Sequence, residues 1–543
     1  MMQHEGTRKE EMASFPALMF FLLFTTFLNS GCESGKVLVY PVDGSHWTNM
    51  IKILEVLHSK GHHITILRSS NSWYISESSP YYTSITIPQE KPQNIESQTY
   101  MTTFLRKTLE SRQYQGTLWG FFEFYRNFFN LIQGNQQVVA NLAASIIENK
   151  TLVKELNQTK YDVFLTDPVF PAGVLLAHHL KLPLVLNVRW ILGGNAHYSI
   201  APSPLSYIPV LFSHNTDKMS FFQRVKNVFC KGMLVYLYYY ISNPPYQALC
   251  DRYFEHNVNV MSLMQGADLW LMRTDFTFDF PRPTMPNVIY IGGFQCTPAN
   301  PLPADLEDFM QSSGEHGVIL MTLGTLLSDL GPKVSEIFAA AFANLPQKVL
   351  WRHIGEKPAT LGSNTMLVKW LPQNDILGHP KTRLFVTHGG TNGLYEALFH
   401  GVPILGIPLI FDQHDNLVRM EAHGVAEIID ITAMDVQSLT NSLKNLLDPT
   451  NPYKQNMIKL SRIYRDQPIE PMDKAVFWIE FVMRHKGAGH LRTESYKLPW
   501  YAYHCLDVMA VFGSVGLFIF TFIWISCRCM FRCLTRMKKS RVE

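Results

Sequence analysis

The chain has 543 residues, enough for two or three ordinary domains around a large core. Hydrophobic residues make up 47% and charged residues 17%, which is apolar for a freely soluble enzyme and points to membrane contact or a greasy pocket. A net charge of +3, with no basic stripe interleaved with aromatics, argues against nucleic acid as a partner.

Arg8 and Lys9 precede an apolar run over 15–28 and then Asn29-Ser30-Gly31-Cys32. This is the outline of a secretory signal peptide, expected to occupy 1–34 and too short for a comfortable membrane span. Met12 is an alternative start, because the acidic stretch before it is odd for such a segment.

Residues 36–42 read as a strand that breaks at Asp43-Gly44-Ser45-His46-Trp47 and enters a helix with Met50, Ile53, Leu54 and Leu57 on one face. A strand follows Gly61 at 63–67. His46 therefore sits at a strand-to-helix turn on the ligand edge of an α/β unit, where it is either a solvated turn residue or a catalytic base. From about 81 to 160 the sequence turns helical and aromatic, suited to core packing or to the wall of an apolar acceptor pocket. A strand at 161–167 ends in Asp167, which either caps the next helix (near 172–180) or faces the site. Another buried strand covers 181–188.

Residues 199–264 are aromatic and irregular. Within them, the tyrosine-rich run 234–241 is expected to pack in the ordinary way with some membrane contact. A strand at 267–273 ends in Arg273. The proline-dense stretch from Pro281 to Pro303 marks a linker. We therefore expect a first domain over 35–297 and a second over 298–487.

The second domain opens with a buried strand running into a glycine turn at 317–325. A helix over 334–345 and strands at 348–351 and 366–370 follow. The stretch from Trp370 to Gln413 then reads as turn, short helix, buried strand (383–387), glycine turn, helix (392–400) and second buried strand (403–408). In the turn Thr387-His388-Gly389-Gly390-Thr391-Asn392-Gly393, glycines allow close backbone approach and Thr391 is a candidate helix cap. Free N–H groups at the helix start would seat a diphosphate. Asn392 and Glu396 share a face of that helix. Glu396 suits ribose hydroxyls, Trp370 can stack on a flat base, and Asp412-Gln413 suits sugar hydroxyls. A helix from Asp415 ends at Gly424, a last strand covers 425–429, and later helices toward Arg484 are long enough to cross back over the first domain.

The membrane-proximal segment 488–507 leads to an uncharged apolar run over 508–527, long enough to span. Behind it lie Arg528, Arg532, Arg536, Lys538, Lys539 and Arg541 in the tail 528–543. This asymmetry fixes the tail on the cytosolic side and, with the signal, implies a type I membrane protein. The sequons at Asn149 and Asn157 are acceptors for a lumenal chain. Cys230, Cys250 and Cys296 do not make a disulfide framework, and nothing has zinc-ligand spacing.

The strings WLPQND, THGGTNGLYEA and PLIFDQ closely resemble the nucleotide-sugar signature of the UDP-glycosyltransferases, and specifically the animal UDP-glucuronosyltransferases. The likeness runs from the signal to the tail and is densest between about Gly317 and Asn416. It implies an α/β fold with two facing Rossmann-like domains of the GT-B type, plus the C-terminal transmembrane helix. It implies glucuronate transfer from UDP-glucuronate to small lipophilic acceptors, at the endoplasmic-reticulum membrane.

Gly44-Ser45-His46-Trp47 resembles the segment carrying the family's catalytic histidine, and YDVFLTDPV the segment carrying its aspartate partner, Asp167. Resemblance also assigns Trp370 and Gln373 to the base, Glu396 to the ribose, and Asp412 and Gln413 to the sugar. Thr325, His388, Gly390, Asn392 and Gly393 are left for the diphosphate. Many relatives have serine in the turn Thr322-Leu323-Gly324-Thr325, where threonine keeps the hydroxyl. Lys539 and Arg541 echo the family's lysine retrieval tail, with arginine in place of one lysine.

No Asp-x-Asp pair stands where a divalent ion would be held, so transfer is expected to need no metal and no cofactor beyond the UDP-sugar. Arg273 is the candidate contact for a sugar carboxylate, unless it pairs with Asp275. Other donor sugars with sterol or lipid acceptors, an inactive UDP-sugar-binding partner of other transferases, and homo- or hetero-oligomers remain open alternatives.

Overall fold

The computed structural model describes residues 34–89, 118–189, 196–255, 258–324 and 331–539. Two all-parallel sheets organise the body. The first has seven strands: β1 (Lys36–Tyr40), β2 (His63–Ser69), β3 (Thr83–Ile87), β4 (Val163–Thr166), β5 (Leu184–Val188), β6 (Leu269–Met272) and β7 (Val288–Tyr290). Their spatial order is β3-β2-β1-β4-β5-β6-β7. The second has six: β8 (Val318–Thr322), β9 (Lys348–Arg352), β10 (Thr365–Val368), β11 (Thr382–Thr387), β12 (Ile404–Gly406) and β13 (Ala426–Ile428), ordered β10-β9-β8-β11-β12-β13. Near-continuous apolar runs explain the parallel pairing, since helices cover both faces; Val37, Leu38, Val39 and Val318 to Met321 are fully buried.

Both sheets reverse their strand order once, between β1 and β4 and between β8 and β11. Such a switch point opens a crevice at the carboxyl ends of the strands, where α/β folds take their ligands.

The helices used below are α1 (Ser45–Ser59), α2 (Leu118–Glu148), α3 (Ala172–His179), α4 (Phe221–Tyr236), α5 (Thr391–His400), α6 (Gln413–Ala422), α7 (Pro471–His485) and α8 (Leu506–Lys539). In α1 the apolar positions Trp47, Met50, Ile53, Leu54 and Leu57 are buried, as their spacing requires. α7 returns to the first sheet's side: its Glu480 Oε1 lies 3.2 Å from His62 Nε2, and beyond it Ala488 N donates to Asp268 Oδ1 at 2.9 Å.

Three local readings change. The strand β3 falls where the sequence reads as helical; Thr-Ser-Ile-Thr-Ile is short, half polar and on the sheet edge, so its alternation is faint. Residues 199–264 are more regular than expected, because α4 opens with a Ser220–Gln223 capping box and continues into a π-helical turn at Leu237–Ser242. Thr391 does not cap α5: the cap position is Gly390, with no side-chain cap bond.

The chain divides after Gly489 into two compact units. In the second, α8 is the single helix among the described residues long and apolar enough to cross a membrane, with a mean hydropathy of 2.3. It continues past 527 through Arg528, Arg532 and Arg536.

Candidate active site

Gly44, at φ 75°, turns the chain from β1 into α1 and leaves His46 in the first turn of that helix. Asp43 pins the turn from outside, accepting hydrogen bonds from Ser72 Oγ and from the Trp73 and Tyr74 amides. His46 is 6% exposed and its Nδ1 lies 2.6 Å from Asp167 Oδ2. Asp167 follows β4, the neighbour of β1 across the switch point, where Tyr40 pairs with Thr166. The other Asp167 oxygen accepts from Val169 N at 3.0 Å; it shapes the loop before α3, whose own cap is Pro171.

Burial is the largest influence on His46 and lowers its pKa, against the pull of Asp167; the charges of Arg189 and Arg273 also lower it. The ring is therefore neutral near pH 7, with Nδ1 committed to Asp167 and Nε2 left as a proton acceptor. The α1 dipole favours the same state by about 0.3–1 kcal/mol.

Arg273 is 6% exposed at the tip of β6, and none of its three guanidinium nitrogens has a hydrogen-bond partner. Burial, then the charge of Arg189, lowers its pKa to about 9, while Asp167 and Asp412 pull it up. It does not pair with Asp275, whose Oδ1 accepts from Thr277 and the Phe278 amide and whose Oδ2 is buried without a partner.

In the second domain the turn after β11 wraps around His388. A Cβ at Gly324 would come within 2.7 Å of the His388 ring, and one at Gly390 within 2.6 Å. Gly389 adopts φ +89°, and a Cβ there would meet the Gln413 carbonyl at 2.8 Å. Burial lowers the His388 pKa to about 4, so the neutral ring can still donate one N–H toward an anion.

Gly390, Thr391, Asn392 and Gly393 begin α5, whose free N–H groups face the strand tips. Gln373 Nε2 donates to Glu396 Oε2 at 2.6 Å, and burial raises the Glu396 pKa to about 7. Trp370 is 73% exposed. Asp412 accepts from Asn416 Nδ2 at 2.9 Å, and Asn416 also donates to Gly389 O at 3.2 Å. Gln413 Oε1 accepts from the Leu409 and Ile410 amides, leaving its side-chain NH₂ as the available donor.

The elements of the two sheets meet at this edge. Asn49, one turn beyond His46, and Asn392 exchange reciprocal amide hydrogen bonds of 2.8 and 2.9 Å. Asp415, at the start of α6, accepts from the Phe212 and His214 amides, and His214 and His414 stack 3.8 Å apart.

Comparison with known proteins agrees with this construction. Residues 35–541 match the family described as UDP-glucoronosyl and UDP-glucosyl transferase. The chain belongs to this family. It is 40% identical over 530 residues to UDP-glucuronosyltransferase 2B17 of Homo sapiens, covering 96% of this chain and 97% of that one. Among solved structures it resembles a UDP-glucosyltransferase from Polygonum tinctorium (TM-score 0.56, 13% identity, 83% of this chain and 99% of that one). It also resembles UGT71G1 of Medicago truncatula, complexed with UDP-glucose (TM-score 0.55, 14% identity, 84% and 99%). The chain is therefore a UDP-glycosyltransferase enzyme of the GT-B fold.

Within this transferase the predicted residues divide into two groups around one seam. His46, Asp167 and Arg273 come from the first sheet. Trp370, Gln373, His388, Gly390, Asn392, Gly393, Glu396, Asp412 and Gln413 come from the second. Thr325 lies outside the described residues, as do the signal segment, Arg541, and much of the predicted aromatic acceptor wall. What is described of that wall includes a small cleft between the tips of β1 and β2 and helix α2, lined in part by Asp43, Arg68, Asn135, Val139 and Phe170.

The sequons Asn149 and Asn157 are exposed. Asn149 caps its helix through its carbonyl, accepting from Leu152 N, which leaves the amide nitrogen for a glycan. Sequence reasoning missed Asn49, Asn416 and Arg189. For Arg189 a signal existed: it directly follows a buried strand.

Proposed function

We propose that this transferase moves glucuronate from UDP-glucuronate to hydroxyl groups of small lipophilic acceptors such as phenols and steroids, with inversion at the anomeric carbon. The first domain, 35–297, takes the acceptor and the second, 298–487, the UDP-sugar. The observation that carries the reading is the buried 2.6 Å contact between His46 Nδ1 and Asp167 at the seam facing the glycine turn of β11.

His46 Nε2 accepts the acceptor's hydroxyl proton as that oxygen bonds to the anomeric carbon. The bond from that carbon to the diphosphate breaks on the opposite side, and UDP leaves with the electron pair. Asp167 holds the tautomer and stabilises the imidazolium, the part an aspartate plays in a Ser-His-Asp triad, here with no covalent serine. Such base assistance is worth roughly 10²–10⁴ in rate.

The departing charge falls to the α5 amides of Gly390–Gly393, to His388 and to Thr325. Trp370 and Gln373 serve the base, Glu396 the ribose, and Asp412 and Gln413 the sugar hydroxyls. Arg273 is a buried cation without a protein partner, which favours an acidic sugar, as does the 40% identity to a glucuronosyltransferase.

The apolar α8 and the basic residues behind it favour a single-pass anchor in the endoplasmic-reticulum membrane, with both domains and the glycans at Asn149 and Asn157 in the lumen. The experiment supplies each UDP-sugar in turn to permeabilised microsomes containing this chain, with a panel of phenols and steroids and with EDTA present. Glucuronide formation is the expected result. Product with UDP-glucose or UDP-N-acetylglucosamine alone would refute the sugar assignment.

A further inference from the structure

The tips of β5 and β6 lie side by side: Val188 pairs with Met272, and the Arg273 amide donates to Val188 O at 2.9 Å. The next residue on each strand is an arginine, so Arg189 and Arg273 leave adjacent tips at the same level. Arg189 donates from Nη1 to Ser45 Oγ at 2.9 Å, directly beside His46, and its Nε is buried without a partner. Arg273 is buried with no partner on any guanidinium nitrogen.

Arg189 is half-buried and Arg273 buried; adjacent cations repel, and a buried one is costly without an anion. No carboxylate hydrogen-bonds the Arg273 guanidinium. Both Asp167 oxygens are engaged by His46 and Val169, and Asp412 is held by Asn416. The charges of Asp167 and Asp412 both reach Arg273, so it lies within electrostatic range of the His46–Asp167 contact and of the residue assigned to the sugar. The diphosphate residues lie in the other domain, at the α5 turn. A planar carboxylate answers the geometry, because guanidinium forks match it with paired N–H bonds.

Building on the glucuronate reading above, we propose that Arg189 joins Arg273 in a two-arginine seat for the C6 carboxylate of the donor sugar. The seat selects by charge. A neutral hydroxymethyl group would leave the buried Arg273 and its neighbour Arg189 without an anion, so UDP-glucose is refused by what it fails to neutralise. Through Ser45, Arg189 also ties the occupied seat to the turn that carries His46.

The test compares R189Q and R273Q with the unaltered enzyme, using UDP-glucuronate and UDP-glucose with one acceptor, and UDP as a competitive inhibitor. The ratio of kcat/KM for UDP-glucuronate to that for UDP-glucose should fall at least 30-fold in each variant, with UDP inhibition changed less than threefold. R189K, which keeps the charge and loses the fork, should fall between. An equal loss with both donors, or an unchanged ratio, would overturn the seat. So would weakening of UDP by the same factor, which would put the arginine on the diphosphate. If a glutamine variant does not fold, R189K and R273K carry the same ratio test. An unaltered enzyme that prefers UDP-glucose would instead refute the glucuronate reading itself, a result read before any variant is made.

Discussion

The turn after β1 and the turn after β11 occupy equivalent places at the switch points of their sheets, yet they are built in opposite ways. The β11 turn concentrates its chemistry in one continuous string: His388, the glycines and the start of α5 lie within a few residues, and Glu396 is one helical turn on. The β1 turn contributes one reactive side chain, His46. Its partners come from the tips of other strands, with Asp167 after β4, Arg189 after β5 and Arg273 after β6. A diphosphate can be held by backbone amides, which any strand-glycine-helix segment supplies locally. A base that must stay neutral, oriented and close to a variable acceptor needs side chains from several strands.

The largest test of that contrast removes the base. His46→Ala should lower kcat for an alcohol acceptor by roughly 10²–10⁴ and leave UDP binding, measured by calorimetry, within about twofold of the original. A phenol, with a pKa of about 10, should lose less than an aliphatic alcohol. Unchanged turnover with alcohols would refute the assignment. Loss of UDP affinity would mean that the two turns do not work separately.

The difference also explains what could be read in advance. The β11 string carries its meaning in sequence order, so the helix, the turn and most of the residues assigned to the donor were legible. The strand tips His46, Asp167 and Arg273 were legible one at a time, because a polar residue closing an apolar run stands out. That His46 and Asp167 meet was given by the family resemblance and not by the residues themselves, since convergence depends on strand order. Arg189 closes an apolar run in the same way but was passed over, because no motif or family segment drew attention to it. Helical spacing gave the face on which Asn392 lies but not the neighbour it meets, which is 343 residues away.

That neighbour provides the second test, of how far the turns are joined. The reciprocal Asn49–Asn392 pair spans the seam one turn beyond His46. Each hydrogen bond is worth about 0.5–1.5 kcal/mol net, and misplacing the base by even about 1 Å can cost on the order of 10² in rate. If the pair sets domain register, Asn49→Ala and Asn392→Ala should each lower kcat about ten- to hundredfold. The double variant should then be no worse than either single one, with donor KM little changed. If Asn392 serves the diphosphate instead, only its variant should raise donor KM, and the two losses should multiply.

The smallest expected effect separates the turns by pH. Burial lowers the His46 pKa, so the acid limb of kcat, where the imidazole becomes protonated and stops accepting, should lie below about 6.5. Glu396 is moved the other way, to about 7, chiefly by burial. Its carboxylate must be ionised to accept from both ribose hydroxyls, so donor affinity should rise with pH through about 7. From pH 6 to pH 8 the gain is at most about tenfold, the change in ionised fraction for a group titrating there. Glu396→Gln should flatten this limb of donor KM while leaving the kcat limb in place. The same shift acts on folding. Between about pH 4.5 and 7 the folded protein keeps a proton on Glu396 that the unfolded chain has released, so this group lowers stability as pH rises through that window. Bound UDP-sugar should flatten that slope by drawing the carboxylate into its ionised form. A melting temperature that falls with pH in the free enzyme, and falls less with UDP bound, would locate the effect at the donor turn; an identical slope in Glu396→Gln would exclude it.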